Sequence, residues 1–324
     1  MLITPAVRTL ARAWPGAKID FLGSTVGSAV FENLPFVRQV GSLSKKTVWC
    51  RGWLGPKKYD LAIVYGYDGD GVFVRYALRM AEKVIAFQQR EEELNRKMFA
   101  FVNKSKLMPA NSVEHFLSLV RPLGIETDGH YLSYAVSDEE RAWAGRRLAG
   151  VRQAGAMPIV GVQIASFPTR GYRDWPLRCF TELCGRIRNS HATAHFLILG
   201  GALERKRTLA LHAALPDAST HLAGTLTLRE TAAVMAQLDL YVGVDTGPTH
   251  IMGALHRPMV AIYHPVSPSN VLGPLEHPCC HVVDHPQLGR VPPEDLPMSD
   301  ITVDSVMTKV EEALQGRFPP PRSR

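Results

Sequence analysis

The chain has 324 residues, of which 46% are hydrophobic and 21% are charged, a composition typical of a globular protein. Its apolar runs are all shorter than the ~18 residues that a transmembrane helix needs, and the first residues lack the pattern of a signal peptide. The 37 basic residues outnumber the 30 acidic ones and are spread along the chain, which favours phosphates or an anionic membrane surface over nucleic acid as partners.

The first half alternates strand and helix patterns, which predicts a parallel sheet with helical crossovers. We expect strands at residues 19–22, 61–65 and 83–87. We expect helices near residues 3–14, 71–80, 91–101 and 113–120. Residues 124–136 carry Gly, Asp and Ser without a sustained period, so they form the predicted linker between domains at 1–130 and 131–324.

The second half shows the same alternation more clearly. Strands are expected at residues 158–164, 195–199, 220–222, 240–244 and 259–263. Helices are expected at residues 177–189, 204–215, 228–237, 249–255 and 303–314, and the last could pack back on the first domain. The predicted architecture is two Rossmann-like domains facing a cleft, with ligands at the carboxyl ends of the strands.

Polar turns follow several strands of the second half. Ser166, Thr169, Arg170 and Arg173 place hydroxyl and guanidinium groups on one of them, and arginine suits forked contacts with phosphate. On the other turns, Gly200 and Gly201 allow close backbone approach, and Glu204 could accept hydrogen bonds from ribose hydroxyls. Each feature also has a purely structural interpretation: a solvated loop for the arginine segment, a tight turn for the glycines and a helix-capping carboxylate for Glu204.

The most informative turn is Asp245-Thr246-Gly247-Pro248-Thr249-His250, between an apolar strand and a helix. Proline suits the first helical position, and a helix N-terminus offers free N–H groups and a positive dipole end to a diphosphate. A carboxylate would repel phosphate, so Asp245 better fits a sugar hydroxyl or a cation. The turn therefore predicts a nucleotide-sugar site, although N-cap and turn chemistry alone could also explain it.

These motifs resemble those of the heptosyltransferase family of GT-B glycosyltransferases, which transfer heptose from ADP-heptose to the lipopolysaccharide inner core. The resemblance covers nearly the whole chain. It rests on the Asp245–His250 turn, and further matching segments are Arg173-Asp174-Trp175-Pro176, Leu199-Gly200-Gly201 with Glu204, Leu222-Ala223-Gly224, Tyr263-His264-Pro265 and Thr4-Pro5.

The resemblance implies roles for individual residues. Thr246 and Gly247 would hold the diphosphate, Asp245 the donor sugar, and Glu204 the ribose. Arg173 stands where the family usually has a phosphate-binding lysine, with Arg170 as the alternative. Residues 224–227, which include Gly224 and Leu226, would face the adenine. No metal or other cofactor is implied, because basic side chains and helix dipoles take the place of a cation.

The start of the chain departs from the family pattern. Members open with a strand and a glycine-rich turn carrying a catalytic Asp, whereas this sequence begins inside the helix that follows. By alignment that Asp would fall about two residues before Met1, and neither Asp20 nor Asp68 is a good substitute. We expect a first domain that lacks its first strand, either because the start codon is misassigned or because the copy is degraded.

Alternative functions remain open at this point. They are a catalytically impaired nucleotide-sugar-binding homologue, a transferase using another sugar, and a GT-B-like epimerase. No Gly-x-Gly-x-x-Gly fingerprint supports a dinucleotide oxidoreductase.

Five scattered cysteines indicate reduced thiols in the cytoplasm. The segment 277–281 with His285 has metal-binding residue types, but its spacing fits no familiar site. A lipopolysaccharide or lipid A acceptor would place the protein peripherally at the cytoplasmic face of the inner membrane.

Overall fold

The computed structural model describes residues 1–48, 56–66, 69–104, 110–166, 168–289 and 296–322. Cys50 and Asp68 lie outside the described residues. The chain forms two compact units, which we call the N-terminal unit, Leu2–His130, and the C-terminal unit, Tyr131–Arg324 together with Met1.

The N-terminal unit alternates helices with parallel strands. Its helices are α1 (Thr4–Ala13), α2 (Thr25–Ala29), α3 (Lys45–Val48), α4 (Val72–Met80), α5 (Glu92–Lys97) and α6 (Ser112–Leu117). Its strands are β1 (Asp20–Gly23), β2 (Gln39–Ser42), β3 (Tyr59–Val64), β4 (Ala81–Phe87) and β5 (Ala100–Val102). Strand β1 pairs with β2, while β3, β4 and β5 form a second parallel sheet in that order.

Strand β4 is the most buried strand of this unit. Its Val84 and Ala86 pack against Val74 and Ala77 of α4, and Ile85 packs on the opposite side. Strand β3 lies at the edge of its sheet, and its apolar residues are only partly buried. The central strand β4 therefore organises this core.

The prediction of one helix over residues 91–101 is wrong at its C-terminal end. Helix α5 stops at Lys97, and Ala100–Val102 is strand β5, which pairs with Ile85, Ala86 and Phe87. An aromatic and a β-branched residue in this stretch favour an extended backbone, and pairing with a buried strand outweighs local helix propensity. Strand β2 was also missed.

The C-terminal unit contains a single parallel sheet among the described residues. Its strands are β6 (Ile159–Gln163), β7 (His195–Leu199), β8 (Ser219–His221), β9 (Leu240–Val244), β10 (Met259–Ile262) and β11 (Cys280–Val283). Its helices are α7 (Asp138–Gln153), α8 (Leu177–Ser190), α9 (Arg205–Ala214), α10 (Leu228–Met235), α11 (Gly247–Leu255), α12 (Ser269–Leu272) and α13 (Val303–Leu314).

The strand order is β11-β10-β9-β6-β7-β8, which is the doubly wound Rossmann order. Alternate residues along the strands enter two different cores: Val160 and Val242 belong to one, Ile159 and Tyr241 to the other. Helices cover both faces, so the central strands are buried throughout. The chain order reverses between β6 and β9, and this switch point is where ligands bind in such sheets.

Helix α7, helix α12 and strand β11 of this unit were not predicted from the sequence. Helix α7 was missed because it buries only Ala144 and Leu148 and so lacks a broad apolar stripe, although a capping box of Ser137 and Glu140 marks its start. Helix α13 packs Val306 and Val310 into the core of the C-terminal unit, against α8 and the sheet; its packing on the first domain stays a prediction.

Candidate functional site

The candidate site lies at the carboxyl ends of β6 and β9, the two strands that flank the switch point. The segment after β6 carries Ser166, Arg170 and Arg173, and the turn after β9 carries Asp245. Gln163 at the end of β6 is paired in register with Gly243 of β9. The sheet therefore brings together turns that are far apart in sequence.

The Arg173 side chain connects its own segment after β6 with the turns after β9 and β10. Its Nη1 lies 3.5 Å from Asp245 Oδ2, and its Nη2 donates a hydrogen bond of 2.7 Å to Ser267 Oγ in the turn after β10. The Arg173 side chain is only 11% exposed and that of Asp245 only 4%. The guanidinium is thus held largely out of water, where its charge interacts strongly with a nearby anion.

Burial controls the protonation of one acidic and one basic group in this turn, Asp245 and His250. It raises the pKa of Asp245 to about 6, although Arg173 and Arg170 act in the opposite direction. Burial also lowers the pKa of His250 to about 4, so its imidazole is neutral at neutral pH. The 3.4 Å contact between His250 Nε2 and Asp245 Oδ1 is therefore not an ion pair.

Several buried polar atoms at the switch point make no hydrogen bond. They are Asp245 Oδ1, Thr246 Oγ1, Arg173 Nε and Gln163 Oε1, all within the described part of the chain. Buried polar atoms are nearly always paired, so a cluster of unpaired ones needs an explanation. Donors and acceptors of a bound ligand would supply one.

Helix α11 begins directly beside this cluster. Its N-cap Thr246 makes no side-chain capping hydrogen bond, and Pro248 stands in its first turn. A Cβ added at Gly247 would have no neighbouring atom within 4 Å, so the space in front of the helix is open. The buried Tyr241 hydroxyl lies 2.8 Å from Thr249 Oγ1, which donates to the Val244 carbonyl and fixes the helix start on β9.

A second group of predicted residues lies after β7 and β8. Glu204 is buried and accepts a hydrogen bond of 2.7 Å from the Gly201 amide, so one carboxylate oxygen caps its own turn. Gly200 and Gly224 both have positive φ, and a Cβ at Gly224 would lie 2.8 Å from the Ala202 backbone. Glycine is therefore required where these two turns touch.

The remaining predicted residues differ in their surroundings. Thr169 and Arg170 are exposed, and the Arg170 carbonyl accepts a hydrogen bond from Ser166 Oγ. Leu226 packs against the hydrophobic core and is partly buried. Sequence reasoning gave no role to Ser267 or Gln163; a hydroxyl shortly after a strand was the available signal for Ser267.

Asp20 in the N-terminal unit is committed to other partners. Arg38 donates to both of its carboxylate oxygens, at 2.8 and 2.6 Å, and the Tyr59 hydroxyl lies 3.1 Å away. These hydrogen bonds, above all the one from Arg38, hold the pKa of Asp20 below its usual value. Asp20 is therefore a structural ion-pair residue and a poor proton acceptor.

The histidine- and cysteine-containing segment 277–285 makes structural contacts. His277 Nδ1 accepts from the Cys279 amide, Cys279 Sγ donates to the His256 carbonyl, and His281 Nε2 lies 2.9 Å from the Arg317 carbonyl. Across the described ranges, no group of three or more His, Cys, Asp or Glu side chains is arranged to hold a metal ion.

The fold is a doubly wound α/β sheet, and the candidate site lies at the switch point of this C-terminal sheet. The chain belongs to glycosyltransferase family 9 (heptosyltransferase), whose family profile matches residues 54–287. It is thus a glycosyltransferase of the heptosyltransferase family, with the α/β fold of GT-B enzymes.

Individual relatives agree with this assignment. The chain is 24% identical to Lipopolysaccharide heptosyltransferase 3 of Escherichia coli over 281 residues, 81% of this chain and 79% of that one. A family 9 glycosyl transferase from Veillonella parvula superposes with a TM-score of 0.80 at 18% identity, covering 97% of this chain and 93% of the other.

Two E. coli structures are similar over nearly their whole length. ADP-heptose lps heptosyltransferase II has a TM-score of 0.77 at 19% identity, with 97% and 95% of the two chains covered. Heptosyltransferase WaaC with ADP has a TM-score of 0.71 at 20% identity, with 96% and 95% covered. Within the described residues, none of the helices has the length and apolar character needed to cross a membrane.

Proposed function

We propose that this protein is an inverting glycosyltransferase that transfers a heptose from ADP-heptose to the inner core of lipopolysaccharide. The observation that carries the proposal is the buried Arg173–Asp245 contact at the switch point, beside unpaired polar atoms and an open helix N-terminus. Relatives with heptose transfer in their names, one of them with a structure solved with ADP, support this choice of donor.

The donor diphosphate is proposed to bind at the start of α11. Thr246 and Gly247 would contribute backbone N–H groups and the positive end of the helix dipole. Arg173 would contribute a guanidinium that is already held in place by Ser267, and the exposed Arg170 would close over the phosphates from solvent. A fixed guanidinium loses little entropy on binding, which favours affinity.

The sugar and the nucleoside occupy the two sides of the diphosphate in this proposal. Asp245, with an unpaired oxygen, would accept hydrogen bonds from hydroxyls of the donor sugar. Glu204 keeps one carboxylate oxygen on the Gly201 amide and would offer the other to the ribose. Gly224 and its neighbours through Leu226 would line the adenine.

The proposed reaction is a direct displacement at the anomeric carbon. The acceptor hydroxyl oxygen forms the new glycosidic bond, the bond from the anomeric carbon to the diphosphate oxygen breaks, and ADP leaves with the bonding electrons. The acceptor proton passes to a general base. Arg173, Arg170 and the α11 dipole would stabilise the negative charge that develops on ADP. Asp20 is not assigned as the base, because Arg38 and Tyr59 hold its carboxylate.

The acceptor is proposed to be the phosphorylated lipid A and core saccharide. The excess of 37 basic over 30 acidic residues suits such an anionic substrate and the anionic cytoplasmic face of the inner membrane. Association would be peripheral, through electrostatic and interfacial contacts.

Release of ADP from ADP-heptose, with heptose-deficient core lipid as acceptor, tests the proposal. The expected result is ADP formation that requires the acceptor, together with a product heavier by one heptose in the mass spectrum. Binding of ADP-heptose without turnover would instead support a nucleotide-sugar-binding homologue. Turnover only with another nucleotide sugar would support a transferase that uses a different donor.

A further inference from the structure

The segment that carries Arg170 and Arg173 is held at its C-terminal end by a buried acid. The Asp174 side chain is 2% exposed, and its Oδ1 accepts a hydrogen bond of 2.6 Å from the Ser166 amide. Ser166 Oγ in turn donates 2.7 Å to the Arg170 carbonyl, and the Asp174 amide donates to the Gly171 carbonyl. These bonds tie together the two ends of the short segment 168–173.

The second oxygen of Asp174 has a partner on a different loop. Arg207, in the first turn of α9, donates from Nη1 to Asp174 Oδ2. The arginine side chain is 44% exposed, whereas the carboxylate is almost completely buried. A buried carboxylate without a cation is costly, so the charge of Arg207 keeps Asp174 in place.

Neither Asp174 nor Arg207 is among the residues proposed to bind the diphosphate. Arg173 is adjacent to Asp174 in the chain but directs its guanidinium to Asp245 and Ser267. On the other side, Trp175 is fully buried and donates from Nε1 to the Ile301 carbonyl. The two residues that follow Arg173 in the chain, Asp174 and Trp175, are therefore both held by hydrogen bonds of their side chains.

We propose that Asp174 and Arg207 form a positioning pair that fixes segment 168–173 so that Arg170 and Arg173 are preorganised for the donor diphosphate. The inference rests on the proposed function for its ligand and assigns these two residues an indirect role. Preorganisation matters because a small displacement of a phosphate-binding group weakens both binding and catalysis.

The test is a double-mutant cycle on ADP affinity, measured by calorimetry. The variants are R207A, R173A and the double variant, with K206A as a matched control that removes a neighbouring positive charge from the same helix. We expect R207A to weaken ADP binding about tenfold, in the range of a charge-assisted hydrogen bond, and R207K to recover part of the loss. K206A should stay within about twofold of the wild type.

The cycle separates positioning from direct contact. If Arg207 acts through the loop, R207A will have a smaller effect once Arg173 is absent, because only Arg170 then remains to be positioned, and the two losses will be non-additive. Additive losses would show that Arg207 contacts the ligand itself and would overturn the inference, as would an unchanged affinity in R207A.

A second measurement does not depend on ligand. Hydrogen exchange of the Ser166 amide, followed in peptides spanning 164–176, should accelerate in R207A and D174N but not in K206A. If the wild type binds no ADP, the donor proposal fails, and this exchange result alone decides whether the pair fixes the loop. Unchanged exchange in R207A and D174N would overturn the positioning role.

Discussion

Arg173 and Asp245 lie 72 residues apart in sequence, yet their side chains meet at 3.5 Å between the ends of β6 and β9. The doubly wound strand order produces this contact, because β6 and β9 are neighbours in the sheet although β7 and β8 separate them in the chain. The Arg173 guanidinium thus contacts Asp245, whose charged form is disfavoured by burial. The Nε of the same guanidinium has no hydrogen-bond partner.

Replacement of Arg173 by alanine should reduce ADP affinity by roughly 10–100-fold, since one or two charge-assisted hydrogen bonds to phosphate are lost. R173K should recover only part, because lysine cannot reach Ser267 and a phosphate with the same fork. Calorimetric titration with ADP measures the effect. R178A removes an exposed arginine at the start of α8 and serves as the control. Equal affinities for R173A and R178A would remove Arg173 from the donor site.

Local sequence pattern was sufficient for most of the C-terminal sheet. The strand predicted at 195–199 matches His195–Leu199, because a continuous apolar run bounded by turn residues is typical of a strand buried on both faces. Helix α7 shows the limit of this reasoning. Its exposed surface is mostly charged, so the periodicity that reveals a packed helix was too weak.

The contacts within the candidate site could not be predicted from the local sequence pattern. Asp245 and Arg173 were selected from their own turns, but their proximity follows from strand order. Ser267 was missed as a partner of Arg173, since 94 residues separate the two and only the position of β10 beside β9 brings them together. Arg207 was missed for the same reason: its role depends on an acid in another loop.

Gly247→Ala should weaken ADP binding about tenfold without destabilising the protein. An added Cβ has no neighbour within 4 Å, so the folded chain accommodates it, but it would enter the space proposed for the diphosphate at the α11 N-terminus. Gly185→Ala in α8 is the matched control, because its Cβ also meets nothing within 4 Å. G185A should gain about 0.5–1 kcal/mol of stability and bind ADP normally. Normal ADP binding by G247A would place the phosphates elsewhere.

Trp175→Phe should lower the free energy of unfolding by about 2–3 kcal/mol. The indole is fully buried, and its loss leaves a cavity and deprives the Ile301 carbonyl of its donor. Urea unfolding measures the change, and Trp14→Phe, at a side chain that is 39% exposed, should shift it by less than about 0.5 kcal/mol. Equal effects of the two substitutions would mean that the Trp175 anchor contributes little.

Asp245→Asn should stabilise the ligand-free protein, and the gain should increase with pH. Burial raises the pKa of Asp245 from 3.8 to about 6, so the folded state retains a proton that the unfolded state has already released. Wild-type stability therefore falls, relative to the variant, as pH rises from about 4 through about 6, by at most about 3 kcal/mol. Asparagine carries no charge and avoids this loss.

Unfolding curves of wild type and D245N at pH 4.5, 6 and 8 measure this trend. Glu311→Gln removes an exposed carboxylate from α13 and serves as the matched control. A stability difference between wild type and D245N that stays constant from pH 4.5 to 8 would contradict a raised pKa and indicate that Arg173 fully compensates the buried charge. A growing difference would show that the fold tolerates an unfavourable carboxylate at this position, as expected where a ligand-binding group is retained at the expense of stability.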